Sequence, residues 1–558
     1  MRVSLLHTYF FTNRLHNAEG AEMKTENRGL LENHLFLYLT EFFSGMSVMA
    51  VELGASRLLA PYFSSSQIVW TIIIGTIMIA MALGNVYGGK SADKNPDPDR
   101  LYRRILIAAV WIVLIPLFGK YIITGIAGLV IFTVSSNYLV WAAFAACMVL
   151  FVFPLFLLGT VTPSLAKYSV DSLEDSGRIV GTLGAFNTIG SIIGTFTPTF
   201  ITIPSVGTSV TFLIFGGILL VLALIYFIAA HTQKVLCIVS VILFGISCVF
   251  GSSDRFAFWD DSLAYEGESI YNYLQVRDTD QAVYFSTNVL FGVQSVYMKD
   301  AQLTGLYYDY AMTAPLLTDK ENPGDASTLI LGMGTGTYAV QCERFYGTKN
   351  MKGVEIDGRI TDLAHQYFDL PEEVPVVTED GRAFINRDES TYDVILVDAY
   401  QDITIPFSMS SVEFFQEVEN HLNDGGVMVV NMNMRSDGEE GINQYLSDTI
   451  ASVFPYVYTV DVPGNTNREL FAFADEKALD HLSTHAEGLS DPQLRTMMMN
   501  VKENLTPYQS GSHVMTDDKA PVEVLGMRAL DTIIGDETAY YRKVFQEQGI
   551  RGLIQILE

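Results

Sequence analysis

The sequence predicts a two-part chain: a bundle of seven or eight α-helical transmembrane spans, then a small β domain leading into a doubly wound, Rossmann-like α/β domain. Three observations predict it. Charge is divided unevenly, with a net +2 over residues 1–253 and a net −30 over residues 254–558. Apolar runs of the roughly twenty residues needed to cross a bilayer occur only in the first half. Past about residue 268 short β-rich runs give way to alternating strand and helix, the mark of a parallel sheet. A chain of 558 residues also exceeds what one core usually organises. The expected divisions are a cytoplasmic tail at 1–33, a helical domain at 34–253, a small β domain at 254–316 and the Rossmann-like domain at 317–558.

Val3 to Phe11 has the apolarity of a short signal core but no small-residue cleavage site follows, so 1–33 reads as a tail. The runs at 35–60, 68–89, 179–203 and 208–230 each suffice for a span. Residues 105–160 form one apolar stretch with weak breaks near Pro116, Gly119–Lys120 and Ser135–Asn137, room for two spans and an interfacial helix or for three short spans. Residues 235–250 add a last, short span. Lys90, Lys94, Arg100, Arg103 and Arg104 crowd the loop at 90–104, which marks that loop and the N-terminus as cytoplasmic. Glu52 lies inside the first span, where a carboxylate costs about 2.5–3.5 kcal/mol. It reads as a cation or proton site, or as a structural partner for Arg57, Asn85 or Asn187. Gly177, Gly181, Gly184, Gly190 and Gly194 suit close helix packing. The run from Gly84 to Lys94 resembles a loop of major facilitator transporters, although no second set of six helices follows.

In the second half, Ile270–Arg277, Ala282–Ser286 and Ser295–Lys299 read as small antiparallel strands. Thr328–Leu331, Met351–Ile356, Val374–Thr378, Asp393–Val397 and Val427–Asn431 read as buried strands, with helices near 337–345, 359–367 and 410–421. Ligands of such a sheet bind at the carboxyl ends of its strands. There the first strand supplies Gly332, Gly334 and Gly336, the second Glu355, the third Asp380 and Gly381, and the fourth Asp398, Tyr400 and Asp402. Glycines permit a tight turn close to ligand, and an acid about twenty residues on can accept from both ribose hydroxyls. A pyrophosphate dinucleotide would want a G-x-G-x-x-G turn and has less use for the later acids. A cationic, phosphate-free nucleoside sulfonium suits the acidic rim, so the fold expected is the S-adenosylmethionine-type methyltransferase fold. Helix capping accounts for any one of these acids but poorly for the set. The anionic half makes nucleic acid an unlikely partner, and the four cysteines show no disulfide or metal spacing.

On these residues the second half resembles the spermidine synthase (aminopropyltransferase) family, and the whole chain is similar to bacterial proteins that fuse membrane spans to such a domain. Glu268-Ser-Ile-Tyr271-Asn272 resembles the family's E-S-x-Y-Q opening, with Asn272 in place of the donor-contacting glutamine. Tyr307-Tyr308-Asp309 stands for the Y-H-E segment that lines the donor and amine pockets. Gly332 to Gly336 matches G-G-G-D-G with Thr335 replacing the aspartate, Glu355 matches the ribose-binding acid and Asp380 the acid that reads the adenine amino group. Asp398 opens a loop similar to D-S-x-D-P that ends at Asp402, and Thr516 to Glu523 looks like a structural loop of the fused proteins.

The resemblance implies transfer of an aminopropyl group from decarboxylated S-adenosylmethionine to a small cationic amine, with no tightly bound cofactor and no metal. Asp398 would accept the proton and Tyr307 orient the nitrogen, while Tyr308, Asp309, Tyr400 and Asp402 would line the amine site. Intact S-adenosylmethionine in a methyl- or aminobutyl-transferase is the alternative that Thr335 leaves open, and a polyamine transporter or sensor with a non-catalytic domain is another. The setting expected is the inner membrane, with the lipid bilayer as a partner and a homodimer allowed. Eight spans are favoured because an even count returns the catalytic domain to the cytoplasm, where the nucleoside is made.

Overall fold

The computed structural model describes residues 34–557 apart from 135, 170–175, 254, 290–291, 301–302, 401–404 and 434–439. The expected tail at 1–33 lies outside these residues. The chain divides into two compact units. One holds the apolar helices up to Asp254; the other holds both β-sheets, and the segments Ala60–Ile68 and Ala127–Trp141 belong to it as well.

The helical unit runs through α1 (His34–Phe63), α2 (Gln67–Lys94), α3 (Pro98–Thr133), the short helices α4 (Tyr138–Leu150), α5 (Val152–Gly159) and α6 (Val161–Ser169), then α7 (Ser176–Thr197), a π-turn at Pro198–Thr202, α8 (Ile203–Ala230) and α9 (Lys234–Phe250). Apolar runs form helices here because a helix satisfies every backbone group within itself. The stretches His34–Phe63, Gln67–Lys94, Pro98–Ile131 and Ser176–Ala230 are long and apolar enough to cross a membrane, and Tyr138–Leu150 with Val152–Ser169, bent by 49°, makes another crossing length.

Residues 105–160 therefore hold two such stretches rather than three. Pro116 sits inside α3 without ending it, and the chain turns instead near Asn137, whose φ is 55°. The stretch Ser176–Ala230 is a hairpin. Gly207 leaves helical geometry at φ 81°, and Thr211 Oγ1 lies 2.9 Å from Thr202 Oγ1, whereas nine residues of straight helix would separate them by about 13 Å. A second reversal at His231 and Gln233, both at φ 54°, sends α9 back along α8, where Phe244 lies against Gly217. Among the described residues these rods number seven, and α9 passes directly into the first β-strand. The eighth span favoured from the sequence is absent from them.

Helices α1 and α7 touch backbone to backbone, because a Cβ on Gly190 would fall 2.0 Å from the Phe42 carbonyl oxygen and one on Gly194 2.1 Å from that of Met46. Gly177, Gly181 and Gly184 have no such neighbour. The interior carboxylate of the bundle is Glu41 rather than Glu52: it is fully buried and accepts from Thr162 Oγ1 at 2.5 Å and Asn187 Nδ2 at 2.8 Å. Glu52, three turns further along the same face of α1, is only partly buried.

In the second unit β1 (Leu263–Glu268), β2 (Tyr273–Asp278), β3 (Ala282–Ser286) and β4 (Ser295–Met298) form an antiparallel sheet in that order. It begins a strand earlier than the sequence pattern suggests. Next come α10 (Tyr307–Ala311), α11 (Thr313–Leu317), β5 (Thr328–Leu331), α12 (Thr337–Tyr346), β6 (Met351–Glu355), α13 (Gly358–Tyr367), β7 (Val376–Thr378), α14 (Gly381–Arg387) and β8 (Tyr392–Val397). They are followed by α15 (Val412–Asn420), β9 (Leu422–Met432), α16 (Ile442–Ala451), β10 (Tyr456–Asp461), β11 (Arg468–Phe473), α17 (Ala478–Gly488), α18 (Pro492–Asn504), β12 (Thr506–Pro507) and α19 (Val522–Leu557).

The large sheet has the order β12-β10-β11-β9-β8-β5-β6-β7. From β9 to β7 the strands are parallel, as the alternation predicts, and β11, β10 and β12 extend the sheet antiparallel. The chain steps from β5 outward to β7 and then returns to β8 on the other flank, so the order reverses between β5 and β8. A crevice opens at such a switch point beyond the strand ends.

Candidate active site

The crevice is a cavity of about 1100 Å³, open mouth included, beyond the carboxyl ends of β5, β6 and β8. Gly332 makes it possible. Its φ is 90°, and a Cβ there would fall 2.5 Å from the Asp398 carbonyl oxygen, so only glycine lets the β5 and β8 loops close on each other. Gly334 and Met333 continue that wall. Gly336, expected beside the ligand, is not on the wall: it starts α12 at φ 82°, packed where a Cβ would meet Leu370 at 2.6 Å.

One side of the cavity carries Asn272, Glu355, Asp380 and Gly381. Glu355, at the end of β6, accepts from the Gly334 amide at 2.9 Å and the Asp357 amide at 3.0 Å. Burial pushes its carboxyl up to about 7, against the pull of those two amides. Asp380 both faces the cavity and caps α14, accepting from the Ala383 amide at 2.9 Å. Ser269, from the small sheet, donates to Asp357 at 2.5 Å and so ties that sheet to the β6 loop.

Opposite stand Tyr307, Tyr308, Asp398 and Tyr400. Tyr307 donates to Asp398 Oδ2 at 2.7 Å, and Asn431 Nδ2 donates to Oδ1 at 2.9 Å. Burial, helped by the charge of Glu355, pushes the Asp398 carboxyl up to about 7; the bonds from Tyr307 and Asn431 pull it down. Tyr308 lies against Tyr307, ring centroids 3.9 Å apart and planes tilted by 32°, and donates to the Gln294 carbonyl. Tyr400 donates to the Asn431 carbonyl.

Asp309 does not reach the cavity. It is 1% exposed and accepts from the Thr304 amide at 3.1 Å and the Gly305 amide at 2.7 Å, so it shapes the loop before α10. Asp402 lies outside the described residues. Thr335, at the aspartate position of the family motif, is fully buried, and its hydroxyl finds no hydrogen-bond partner among the described residues. Asp517 in the loop 516–523 accepts from Ser411 and, at 3.2 Å, from Arg382, which fits the structural role expected of that loop.

Asn431 and Asn467 were not among the sequence candidates. Asn467 Nδ2 donates to Asn431 Oδ1 at 2.8 Å, extending the chain of bonds that starts at Asp398. The available signal was the polar pair Asn431 and Asn433 ending an apolar strand on the same edge as the acids. Among the described residues no group of three or more His, Cys, Asp or Glu side chains could hold a metal ion.

Residues 306–479 match the family model described as the spermine/spermidine synthase domain. A probable polyamine aminopropyl transferase of Bifidobacterium longum is 52% identical over 352 residues, 60% of this chain and 78% of that protein. A polyamine aminopropyltransferase of Vibrio vulnificus is 30% identical over 232 residues, 40% of this chain and 75% of the other. Among solved structures, a probable spermidine synthase of Corynebacterium glutamicum superposes with a TM-score of 0.33 at 17% identity, covering 45% of this chain and 97% of that one. The matched domain and these relatives make the chain a transferase with the spermidine synthase fold in its second half. The chain belongs to the polyamine aminopropyltransferase family.

Proposed function

We propose that the chain is a membrane-embedded aminopropyltransferase that moves the aminopropyl group of decarboxylated S-adenosylmethionine to a diamine or polyamine. The reading is carried by Asp398, held between Tyr307 and Asn431 on the cavity wall facing Glu355. Glu355 takes the ribose hydroxyls, Asp380 and Gly381 the adenine, and Asn272 the rest of the nucleoside. In the reaction the amine lone pair attacks the carbon beside the sulfonium. The carbon–sulfur bond breaks, its electron pair stays on sulfur, and methylthioadenosine leaves as a neutral thioether.

The new nitrogen must lose a proton. An alkylammonium near pKa 10.4 costs about 4–5 kcal/mol to deprotonate at pH 7, so a positioned acceptor matters, and a carboxylate raised toward 7 is a better base than an ordinary one. Asp398 takes that proton while the bond forms. Tyr307 and Tyr308 align the nitrogen with the carbon–sulfur axis. The test is a donor-by-acceptor screen on the full chain, weighing products by mass. Gain of one aminopropyl group on a diamine with release of methylthioadenosine is the expected result. Gain of a methyl group from intact donor would instead favour the reading that Thr335 keeps open.

Membrane embedding is supported by the apolar rods and by the outward side chains of α9, among them Val235, Ile238 and Val249, which are hydrophobic and at least 60% exposed. Charge and parity support an orientation opposite to the one expected from nucleoside supply. Lys90, Lys94, Arg100, Arg103 and Arg104 gather at the α2–α3 turn, and Lys167, Arg178 and Lys234 lie at the ends of helices that an alternating path brings back to that side. With each of the seven described rods read as a crossing, the path ends at the other side: Gly251, just past α9, lies against Leu117, nineteen residues and about 28 Å along α3 from its basic start. By the positive-inside rule the enzyme half then faces away from the cytoplasm. A reporter fused after Glu558 that works only outside the cytoplasm should be active, and a cytoplasm-only fluorescent reporter dark; the reverse pattern would overturn this orientation.

A further inference from the structure

Next to the reacting carboxylate lies a second acid that the chemistry above does not use. Glu469, on β11, is fully buried, and neither carboxyl oxygen has a hydrogen-bond partner. Its place is fixed by register. Val397 pairs with Val430 across β8 and β9, which brings the next residues, Asp398 and Asn431, level with each other. Asn431 pairs in turn with Glu469 across β9 and β11. Asp398, Asn431 and Glu469 thus form one row across the sheet, two strand spacings or about 10 Å from end to end at Cα. The bond from Asn431 to Asp398 and that from Asn467, two residues before Glu469, to Asn431 put these side chains on one face. The short helix α10, which carries Tyr307, packs over β9 and β11.

A buried carboxyl without a partner is rare, because desolvation is uncompensated unless a ligand, ion or water completes it. No such partner comes from the described residues of the protein. The hydroxyl of Tyr338, on α12, is buried nearby and pairs with the Cys342 thiol. It is close enough to Glu469 that the acid's charge contributes, after burial and Cys342, to holding the phenol up. Burial, with the charge of Asp398 adding to it, holds the Glu469 carboxyl well above the usual range. Such a group stays neutral while the site is empty and ionises when a cation arrives.

We propose that Glu469 is the specificity residue for the acceptor: it holds the distal ammonium of a diamine whose other nitrogen is presented to Asp398. The row Asp398–Asn431–Glu469 measures the acceptor's length, with an acid at each end and the neutral Asn431 amide between. A monoamine of the same length leaves Glu469 uncompensated and binds poorly. The proposal rests on reading Asp398 as the proton acceptor.

The experiment compares 1,4-diaminobutane with 1-aminobutane as acceptors for the full chain in detergent. Wild type should strongly prefer the diamine. Glu469→Gln, which keeps the shape, should raise the diamine KM about a hundredfold, as expected when one member of a buried charge pair is lost, and leave the monoamine reaction and the donor KM unchanged. Glu469→Asp, which withdraws the charge by one methylene, should move the preference toward 1,5-diaminopentane. Methylthioadenosine binding by both variants verifies the fold. Unchanged discrimination in folded Glu469→Gln, or an equal loss with every acceptor, overturns the proposal while the aminopropyltransferase reading stands. No transfer by wild type to any amine would instead remove that reading and the proposal together.

Discussion

The two walls of the cavity use acids in different ways. On the donor wall Glu355 and Asp380 are held by backbone amides, at 2.9 Å from Gly334, 3.0 Å from Asp357 and 2.9 Å from Ala383. On the other wall Asp398 is held only by the side chains of Tyr307 and Asn431, and Glu469, buried behind that wall, by none of the described residues. Backbone donors are fixed by the fold and pre-form a shape, which suits a large nucleoside that must dock the same way each time. Side-chain donors can be exchanged or outcompeted, which suits a wall where a proton moves and a cation comes and goes. The difference predicts that donor binding and chemistry separate under mutation.

The largest effect should come from Asp398→Asn, which keeps the size and one hydrogen-bonding oxygen but removes the base. kcat should fall about a thousandfold, within the usual range for a lost general base, while methylthioadenosine affinity by calorimetry changes little. A large loss of nucleoside affinity would show that the walls are not independent. Next is Gly332→Ala, which strikes the point where the walls meet. The strained φ of 90° and the 2.5 Å approach to the Asp398 carbonyl should cost about 2–4 kcal/mol of stability, read as a lowered Tm together with lost activity. Glu355→Gln should act chiefly on nucleoside binding, weakening it by about 2 kcal/mol, or roughly thirtyfold, with kcat at saturating donor nearly retained above pH 7 and the acid limb of Asp398 moved down by loss of the neighbouring charge.

The donor wall was legible in the sequence because each of its acids follows a buried strand, and the end of a strand can be read from one residue pattern at a time. Glu355 and Asp380 are read that way, and so is Asp398 on the other wall; all three line the cavity. The same logic misplaced Asp309, since an acid that caps its own loop looks the same in sequence as one facing a ligand. The acceptor wall was harder to read. Asn431 and Glu469 acquire meaning only through the antiparallel pairing of β9 with β11, a long-range register that periodicity does not encode. In the helical unit, Pro116 suggested a break that α3 does not make; a proline in such a helix is tolerated where neighbouring helices re-satisfy the freed carbonyl. The number of apolar rods among the described residues follows from where the chain turns and not from the total apolar length.

Acidity separates activity from stability at the same two carboxyls. Asp398 and Glu355, both raised by burial to about 7, bind more protons folded than unfolded between about pH 4 and 7. Their contribution to stability is therefore greatest at the acid end of that window and is lost as pH rises through 7. Activity needs the Asp398 carboxylate and should run the other way, falling as pH drops below 7. Parallel pH profiles of Tm and of kcat/KM would test this, and profiles that rise together across pH 5–7 would contradict it.

The smallest expected effect is the sharpest test of how the acceptor wall is tuned. Tyr307 donates to Asp398 at 2.7 Å, a bond that favours the carboxylate and pulls its pKa down against burial. Tyr307→Phe removes the hydroxyl and leaves the ring that lies against Tyr308. A hydrogen bond to a charged group is worth about 1.5–3 kcal/mol, and one pKa unit corresponds to about 1.4 kcal/mol. The acid limb of kcat/KM should therefore move up by about one pH unit, with the plateau reduced only about tenfold by poorer alignment of the nitrogen. A limb that stays in place while the plateau falls would mean that Tyr307 only positions the amine, and that the carboxylate is tuned by burial and Asn431 alone.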